Sequence, residues 1–281
     1  MAVTIVVDST ADMRREVAQR VKVVPLTIHF GDREYISGVD IDNHRFYEML
    51  VESDMLPTTS QATPFAFEKV FREIVSRGDE VVCLTCAAKL SGTYQSAMIA
   101  AEEFPGKVRV VDSNTIAIGL GILTEYALSL LDREFSGEEI VWNVLQKREK
   151  IRLLALVDTL EYLKKGGRIS PTVAFAGGLL NIKPVITLSG GEIRVLGKAR
   201  GSRQANNLLV QEIRKAGGVD FHKPLMLGYT GLSDALLKKY IDDSAQLWEG
   251  SISALPSCIV GSVVGTHVGP GAVAVAFFAA E

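Results

Sequence analysis

Residues 80–97 read EVVCLTCAAKLSGTYQSA. An apolar run from Glu80 to Cys86 empties, at Ser91, Gly92 and Thr93, straight into a helical pattern. A strand that feeds a helix this way is the repeating unit of an α/β fold. The junction also suits an anion. The first backbone N–H groups of a helix have no intrahelical acceptor, and the macrodipole adds about half a positive charge there. Gly92 is expected to let a ligand approach closely. Capping of the helix by Ser91 explains the same letters without any ligand.

Outward from this stretch, Val3 to Val7, Val23 to Phe30 and Val108 to Val111 read as further strands. Helical patterns lie near 10–20, 43–53, 64–76, 91–103 and 114–133. The alternation predicts parallel strands with right-handed crossovers, and ligands gathered at the strand C-termini. Two strands end in VVDS, at Val6 to Ser9 and at Val110 to Ser113. Helix-capping chemistry explains the coincidence without a duplication, while the alternative puts Ser9 or Ser113 on the ligand rim.

Near residue 150 the helical segment Ser136 to Lys150 gives way to a strand, Arg152 to Val157, and a domain boundary fits there. Beyond it come a hairpin signal (Val185 to Leu188 and Glu192 to Leu196 around Ser189-Gly190-Gly191), a helix, a strand Pro224 to Tyr229, another helix and closing strands. The expected architecture is an α/β domain over 1–150, three-layered with a mostly parallel sheet. An α+β domain over 151–281 with a largely antiparallel sheet completes it.

Composition narrows the function. A chain of 281 residues, 47% hydrophobic and 22% charged, can bury a full core. Net charge is -3 and no run rich in lysine or arginine stands out, so nucleic acid is not expected as a partner. The start, MAVTIVVDST, has no basic region or cleavage signature, and no apolar run approaches ~18 residues, so a cytoplasmic protein without a transmembrane segment is expected. Cys83 and Cys86 form a CxxC within a strand, where residues three apart point to opposite faces. With Cys258 the only other thiol, inert buried cysteines are expected and no metal site or cofactor.

Three polar clusters carry donors suited to one carboxylate: Thr59-Ser60-Gln61, Ser91-Gly92-Thr93, and His267 within GTHVGPGA at 265–272. The first lies in a polar turn shortly before the helix that Pro64 opens. Glycines at 265, 269 and 271, with Pro270, suggest a backbone around His267 that is set by design of the turn rather than by packing. Turn formation and capping explain the first cluster equally well.

These residues also carry a family likeness: DSTADM at 8–13, TSQ at 59–61, KLSGTYQSA at 89–97, KKGGRIS at 164–170, LLNIKP at 179–184 and GTHVGPGA. Six motifs in this order, from the first strand to the last, resemble the DegV family, whose members include the fatty-acid-binding B subunit of bacterial fatty acid kinase. The resemblance implies a carrier that holds a long-chain fatty acid between its domains and presents the carboxylate to a separate ATP-binding kinase subunit for acyl phosphate formation. It implies head-group contacts at Thr59 and Ser91, with His267 close by. Arg168 and Arg200 are implied at the surface where the kinase docks and phosphate is transferred. Ala62, in place of a proline often found after TSQ, and Gly201-Ser202 after Arg200 depart from the family pattern.

The chemistry agrees with a binder. An ionised head group wants several donors, and hydroxyls and amides hold it without a salt bridge, leaving an oxygen for phosphorylation. A tail is worth ~0.8 kcal/mol per methylene. Candidate tail-lining stretches are 173–175, 177–180 and Phe277 with Phe278. The rival reading is a lipid hydrolase or acyltransferase with Ser91 as nucleophile and His267 as base, although no GxSxG surrounds Ser91. No P-loop or kinase glycine-rich loop occurs, so phosphoryl transfer would need the separate subunit, and membrane contact would be at most transient.

Overall fold

The computed structural model describes residues 2–170, 181–248 and 254–280. Strands β1 (Val3–Asp8), β2 (Lys22–Val24), β6 (Glu80–Thr85) and β7 (Val108–Asp112) form a four-stranded sheet in the order β2-β1-β6-β7, parallel throughout. Both faces of this sheet are covered, which is why β6 reads as an unbroken apolar run rather than an alternating one. Val82 and Leu84 face one core cluster, and Val81 and Cys83 the other. Cys86 joins the cluster that Cys83 does not, so the two thiols of the CxxC serve opposite sides of the sheet.

A second sheet holds β8 (Ile151–Leu156), β9 (Ile182–Ser189), β10 (Glu192–Arg200), β11 (Met226–Tyr229), β12 (Ser257–Ile259) and β13 (Val273–Phe278) in the order β10-β9-β8-β13-β11-β12. Every pairing but β11 with β12 is antiparallel. The expected α/β class, with a parallel sheet in the first half and a largely antiparallel one in the second, is what the chain forms.

Helix α5 (Ala117–Leu131) lies between the two sheets, against β1 and β6 on one side and β8, β11 and β13 on the other. Twelve of its fifteen residues are buried. A helix apolar all round has no face for water, and this one meets protein on both sides. The core it serves runs from Ile5, Val7 and Leu84 to Met226, Ala276 and Phe278. On the outer face of the parallel sheet, α3 (Pro64–Val75) and α4 (Thr93–Ala101) pack together, and α3 buries Phe67 and Phe71 there. Pro64 stands in the first turn of α3, and Thr63 caps it by accepting from the Ala66 N–H at 3.2 Å.

Two expectations are corrected. The run Val23 to Phe30 is not one strand: the chain breaks at Pro25-Leu26, where proline fixes φ and lacks a donor. Its second part, β3 (Thr27–Phe30), joins β4 (Arg33–Ile36) and β5 (Thr58–Ser60) in a separate antiparallel sheet ordered β4-β3-β5. The VVDS tetrapeptides, in turn, cap no helix. Asp8 accepts from the Thr10 N–H (2.9 Å), the Thr10 hydroxyl (2.6 Å) and the Cys86 N–H (2.7 Å), and Asp112 accepts from the N–H groups of Asn114 (2.9 Å) and Ala88 (3.2 Å). Each carboxylate ties its own loop to the end of a neighbouring strand. The helical pattern at 10–20 shrinks accordingly to α1 (Arg15–Ala18).

Candidate functional site

The C-terminal ends of β1 and β6 open into a cavity of about 330 Å³ that is lined by Thr59, Gln61, Ser91, Gly92, Arg168 and His267 among others. Four segments far apart in sequence therefore meet at one place. Thr59 arrives on β5, Ser91 and Gly92 on the turn before α4, and Arg168 after the short helix Glu161–Lys165. Helices Gly137–Arg148, Glu161–Lys165, Ser202–Lys215, Ala235–Asp243, Ala245–Trp248 and Ser262–Val268 are α6, α7, α8, α9, α10 and α11. Arg168 thus follows α7, and His267 sits in the last turn of α11.

His267 Nε2 lies 2.8 Å from Thr59 Oγ1, while its Nδ1 is buried without a hydrogen-bond partner among the described residues. Burial first, and then the Arg168 guanidinium, lower its pKa to about 4. The ring is neutral at pH 7. It can then act as donor or acceptor toward Thr59, depending on the tautomer. A Cβ on Gly166 would come within 2.3 Å of Nδ1, so the glycine of KKGGR makes room for the imidazole.

Thr59 and Ser60 part company here. Neighbours on a strand point to opposite faces, so Thr59 turns inward beside its partner Ile28 while Ser60 turns outward. Ser60 borders the cavity, yet its hydroxyl meets His29 Nε2 at 2.7 Å on the exposed face. Ser91 Oγ lies 2.9 Å from Thr93 Oγ1 and accepts a long bond, 3.3 Å, from the Thr93 N–H. Thr93 is fully buried and does not line the cavity; it orients Ser91. The Ser91 hydroxyl is thus tied to Thr93 and His267 Nε2 to Thr59, so the Ser91–His267 nucleophile and base pair is not formed.

Packing bears on the glycines as well. Gly92 lines the cavity and also lies under the Gln61 side chain: an added Cβ would stand 2.0 Å from Gln61 Oε1, and Gln61 Nε2 donates to Ser96 Oγ at 2.9 Å. Gln61, the third member of the first donor cluster, lines the cavity. Around His267, Gly269 and Gly271 take positive φ of 76° and 82°, as a set turn requires, while packing accounts for Gly265 and adds a second reason at Gly269. A Cβ on Gly265 would lie 2.5 Å from Tyr47 Oη, and one on Gly269 2.3 Å from the Tyr162 ring.

Arg168 lines the cavity and links its two sides, donating from Nε to the Leu90 carbonyl at 3.2 Å and from Nη1 to the Gly166 carbonyl at 2.5 Å. The donors around the cavity are therefore not all uncharged. Arg200, by contrast, is exposed at the end of β10, and the cavity does not reach it. Thr10 and Cys86 complete the polar rim, and burial pushes the Cys86 thiol well above its ordinary range, as it does Cys83.

A second cavity of about 70 Å³ adjoins the first. The two share Ile116, Ile193, Val264 and Val268. The second lies between the start of α5, α11 and the antiparallel sheet, where Ala155, Ile186 and Ala274 line it, and only apolar atoms face it. Phe277 and Phe278 line neither cavity; they are packed into two different cores. The stretches 173–175 and 177–180 lie outside the described residues. Toward solvent, the first cavity shares Leu90, Arg168 and Ile193 with an open mouth that Lys89 and Arg194 flank. Among the described residues no group of His, Cys, Asp and Glu could hold a metal ion, and no helix is long and apolar enough to cross a membrane.

Comparison with known proteins places this geometry. A fatty-acid-binding DegV family protein from Thermus thermophilus superposes with a TM-score of 0.87 at 32% identity, covering 99% of this chain and 100% of its own. A stearic acid-binding protein from Eubacterium ventriosum superposes with a TM-score of 0.87 at 27% identity, covering 98% of this chain and 97% of its own. The fatty acid kinase B3 protein of Streptococcus pneumoniae, loaded with linoleic acid, shares the fold at a TM-score of 0.85 and 23% identity, with 99% of both chains covered. The family model described as "Uncharacterised protein, DegV family" matches residues 2–280, and the chain belongs to the DegV family.

Proposed function

We propose that this protein binds one long-chain fatty acid, with the carboxylate among Thr59, Ser91 and His267 and the tail between the two halves of the chain, which divide near residue 150. The observation that carries the reading is that a donor-rich cavity and a wholly apolar one lie side by side and share four lining residues. A cavity of about 330 Å³ falls within the ~300–1,000 Å³ typical of ligand sites. Few ligands other than an amphiphile with one anionic end match such a pair of environments. The fatty acids bound by the two relatives above 25% identity support the same class.

Arg168 adds a positive field at the head group, and Ser91 offers a hydroxyl at the start of α4, where the helix dipole favours an anion. A ring held neutral at pH 7 leaves His267 able to bond the head group without competing for its charge. The protein acts as a carrier in this reading, and a separate kinase converts the presented carboxylate into an acyl phosphate at the open mouth. At the mouth Lys89, Arg168 and Arg194 stand around one carboxylate, Glu192, which pairs with Lys89 at 3.0 Å and with Arg194 at 3.7 Å; the remaining positive charge supports that step, since transferred phosphate would meet it there.

Organic extraction of the purified protein, followed by mass measurement, tests the binding. Intact long-chain fatty acid near one equivalent is expected; an empty extract from protein that also fails to take up added fatty acid would sink the reading. The presentation step is checked by adding a fatty acid kinase subunit, ATP and hydroxylamine, which should yield fatty hydroxamate only when all are present.

A further inference from the structure

Asp12 is an acid in a place that does not favour one. Its residue is 8% exposed, and its Oδ2 has no hydrogen-bond partner among the described residues. Its Oδ1 accepts from the Gly261 N–H at 2.7 Å, the group that immediately precedes α11. Burial, opposed by that bond and reinforced by Asp8, raises its pKa to about 8. Such an environment is costly for a carboxyl group, and a costly group invites a search for what it does.

We propose that Asp12 is a positioning residue: by clamping Gly261 it fixes the entry of α11 and, through that helix, holds His267 against Thr59.

The geometry around α11 carries the argument. The helix has seven residues, two turns, and stands on a short list of anchors at its N-terminal side. Besides Asp12, Asn43 Oδ1 accepts from the Ser262 N–H at 3.2 Å, the Ser37 and Ser262 hydroxyls lie 3.0 Å apart, and Tyr47 donates to the Val260 carbonyl at 2.8 Å. Of these, the Asp12 bond is the shortest. Asp12 is itself fixed at the other end. Its backbone N–H donates to the Ala117 carbonyl at 3.2 Å, and its own carbonyl packs on Gly121, where an added Cβ would stand 2.0 Å away. The clamp therefore joins α11 to α5, the helix between the two sheets, rather than to a mobile surface.

From Gly261 to His267 the helix spans about 9 Å at ~1.5 Å per residue, so a tilt at its entry is carried directly to the imidazole. Val263, Val264 and Val268 of the same helix line the cavity, and they would shift with it. The inference rests on Thr59 and His267 being head-group residues, but its first readout does not.

That readout is the NMR titration of His267, one of four histidines, assigned by its loss in His267→Gln. In the full-length protein no titration is expected between about pH 5 and 8, because the ring is buried. In Asp12→Ala the released ring should titrate toward an ordinary midpoint, at least about one pH unit above the parent value, and fatty-acid affinity should fall about tenfold or more. Asp12→Asn keeps an acceptor for Gly261 and should restore both. Gly261→Pro, at a backbone φ of -68° that suits the ring, removes the donor and, with a Cβ 2.8 Å from Asp12 Oδ1, pushes the carboxylate aside; it breaks the clamp from the other side and should reproduce the Asp12→Ala result even if that variant fails to fold. An unchanged His267 titration in a folded Asp12→Ala or Gly261→Pro protein, or no rescue by asparagine, overturns the proposal. Failure of the parent protein to bind fatty acid would instead count against the proposed function and leave the titration result standing.

Discussion

At the scale of single residues, the site is a division of labour between neighbours that look alike in sequence. Thr59 and Ser60 were both expected at the carboxylate, and strand geometry sends them apart. Ser91→Ala and Thr59→Val should each weaken fatty-acid retention by about 10- to 100-fold, the cost of one bond to a charged acceptor at ~1.5–3 kcal/mol, as measured by native mass spectrometry or equilibrium binding. Ser60→Ala should leave it within about threefold on the same scale, because its hydroxyl is engaged with His29. Asp12 gives a pH dependence with a definite sign. Its pKa is about 8 when folded and 3.8 in the ordinary state, so folding takes up a proton between those values and stability falls as pH rises from about 4 to about 8. Asparagine cannot titrate, so Asp12→Asn should flatten that fall and be the more stable protein at pH 7, by an amount on the order of 4 kcal/mol at most. Equal slopes in urea melts at pH 5, 6, 7 and 8 would contradict this. Motifs marked Thr59, Ser91 and His267, which line one cavity. Asp12 stands in a quoted motif too, DSTADM, but nothing in those letters says that Gly261, 249 residues away, donates to its carboxylate.

Among elements, the chain was read well where one cause decides and poorly where two compete. The parallel strands β1, β6 and β7 were placed to within a residue or so because burial on both faces leaves an apolar run bounded by turns. The run from Val23 to Phe30 was misread because β propensity continues across Pro25 while the hydrogen-bonding requirement does not. Its break creates the small sheet that carries Thr59, so the error fell on an element of the site. The glycines of GTHVGPGA posed a similar problem, since freedom of φ and want of space leave the same letter. Gly269 has φ of +76° and also faces Tyr162, whereas Gly265 is helical and has only the packing reason. Gly265→Ala should therefore destabilise the protein by about 1–3 kcal/mol through overpacking against Tyr47 and Phe46, despite alanine's better helix propensity. A melting temperature equal to or above the parent's would show that the two rings can give way.

For the molecule as a whole, class and sheet type followed from alternation in the first half and the hairpin in the second. How the halves meet did not, because alternation leaves open which elements lie between the sheets; the one signal was the apolar character of residues 117–131 all round, the mark of a helix covered on every side. In the structure α5 is shared between the sheets, and the cavities lie beside its first turn. Bound ligand should thus tie both halves together: at a free fatty acid concentration of 100 times the dissociation constant, stability should rise by about 2.7 kcal/mol, and delipidation should lower the melting temperature correspondingly. The placement of α5 has one more consequence. Its amide protons can meet solvent only if both sheets let go at once, so they should be among the last in the chain to exchange with deuterium, at rates set by global unfolding. Lipid turnover that outpaces that exchange would have to proceed with the centre of the protein closed, through the mouth beside Arg168.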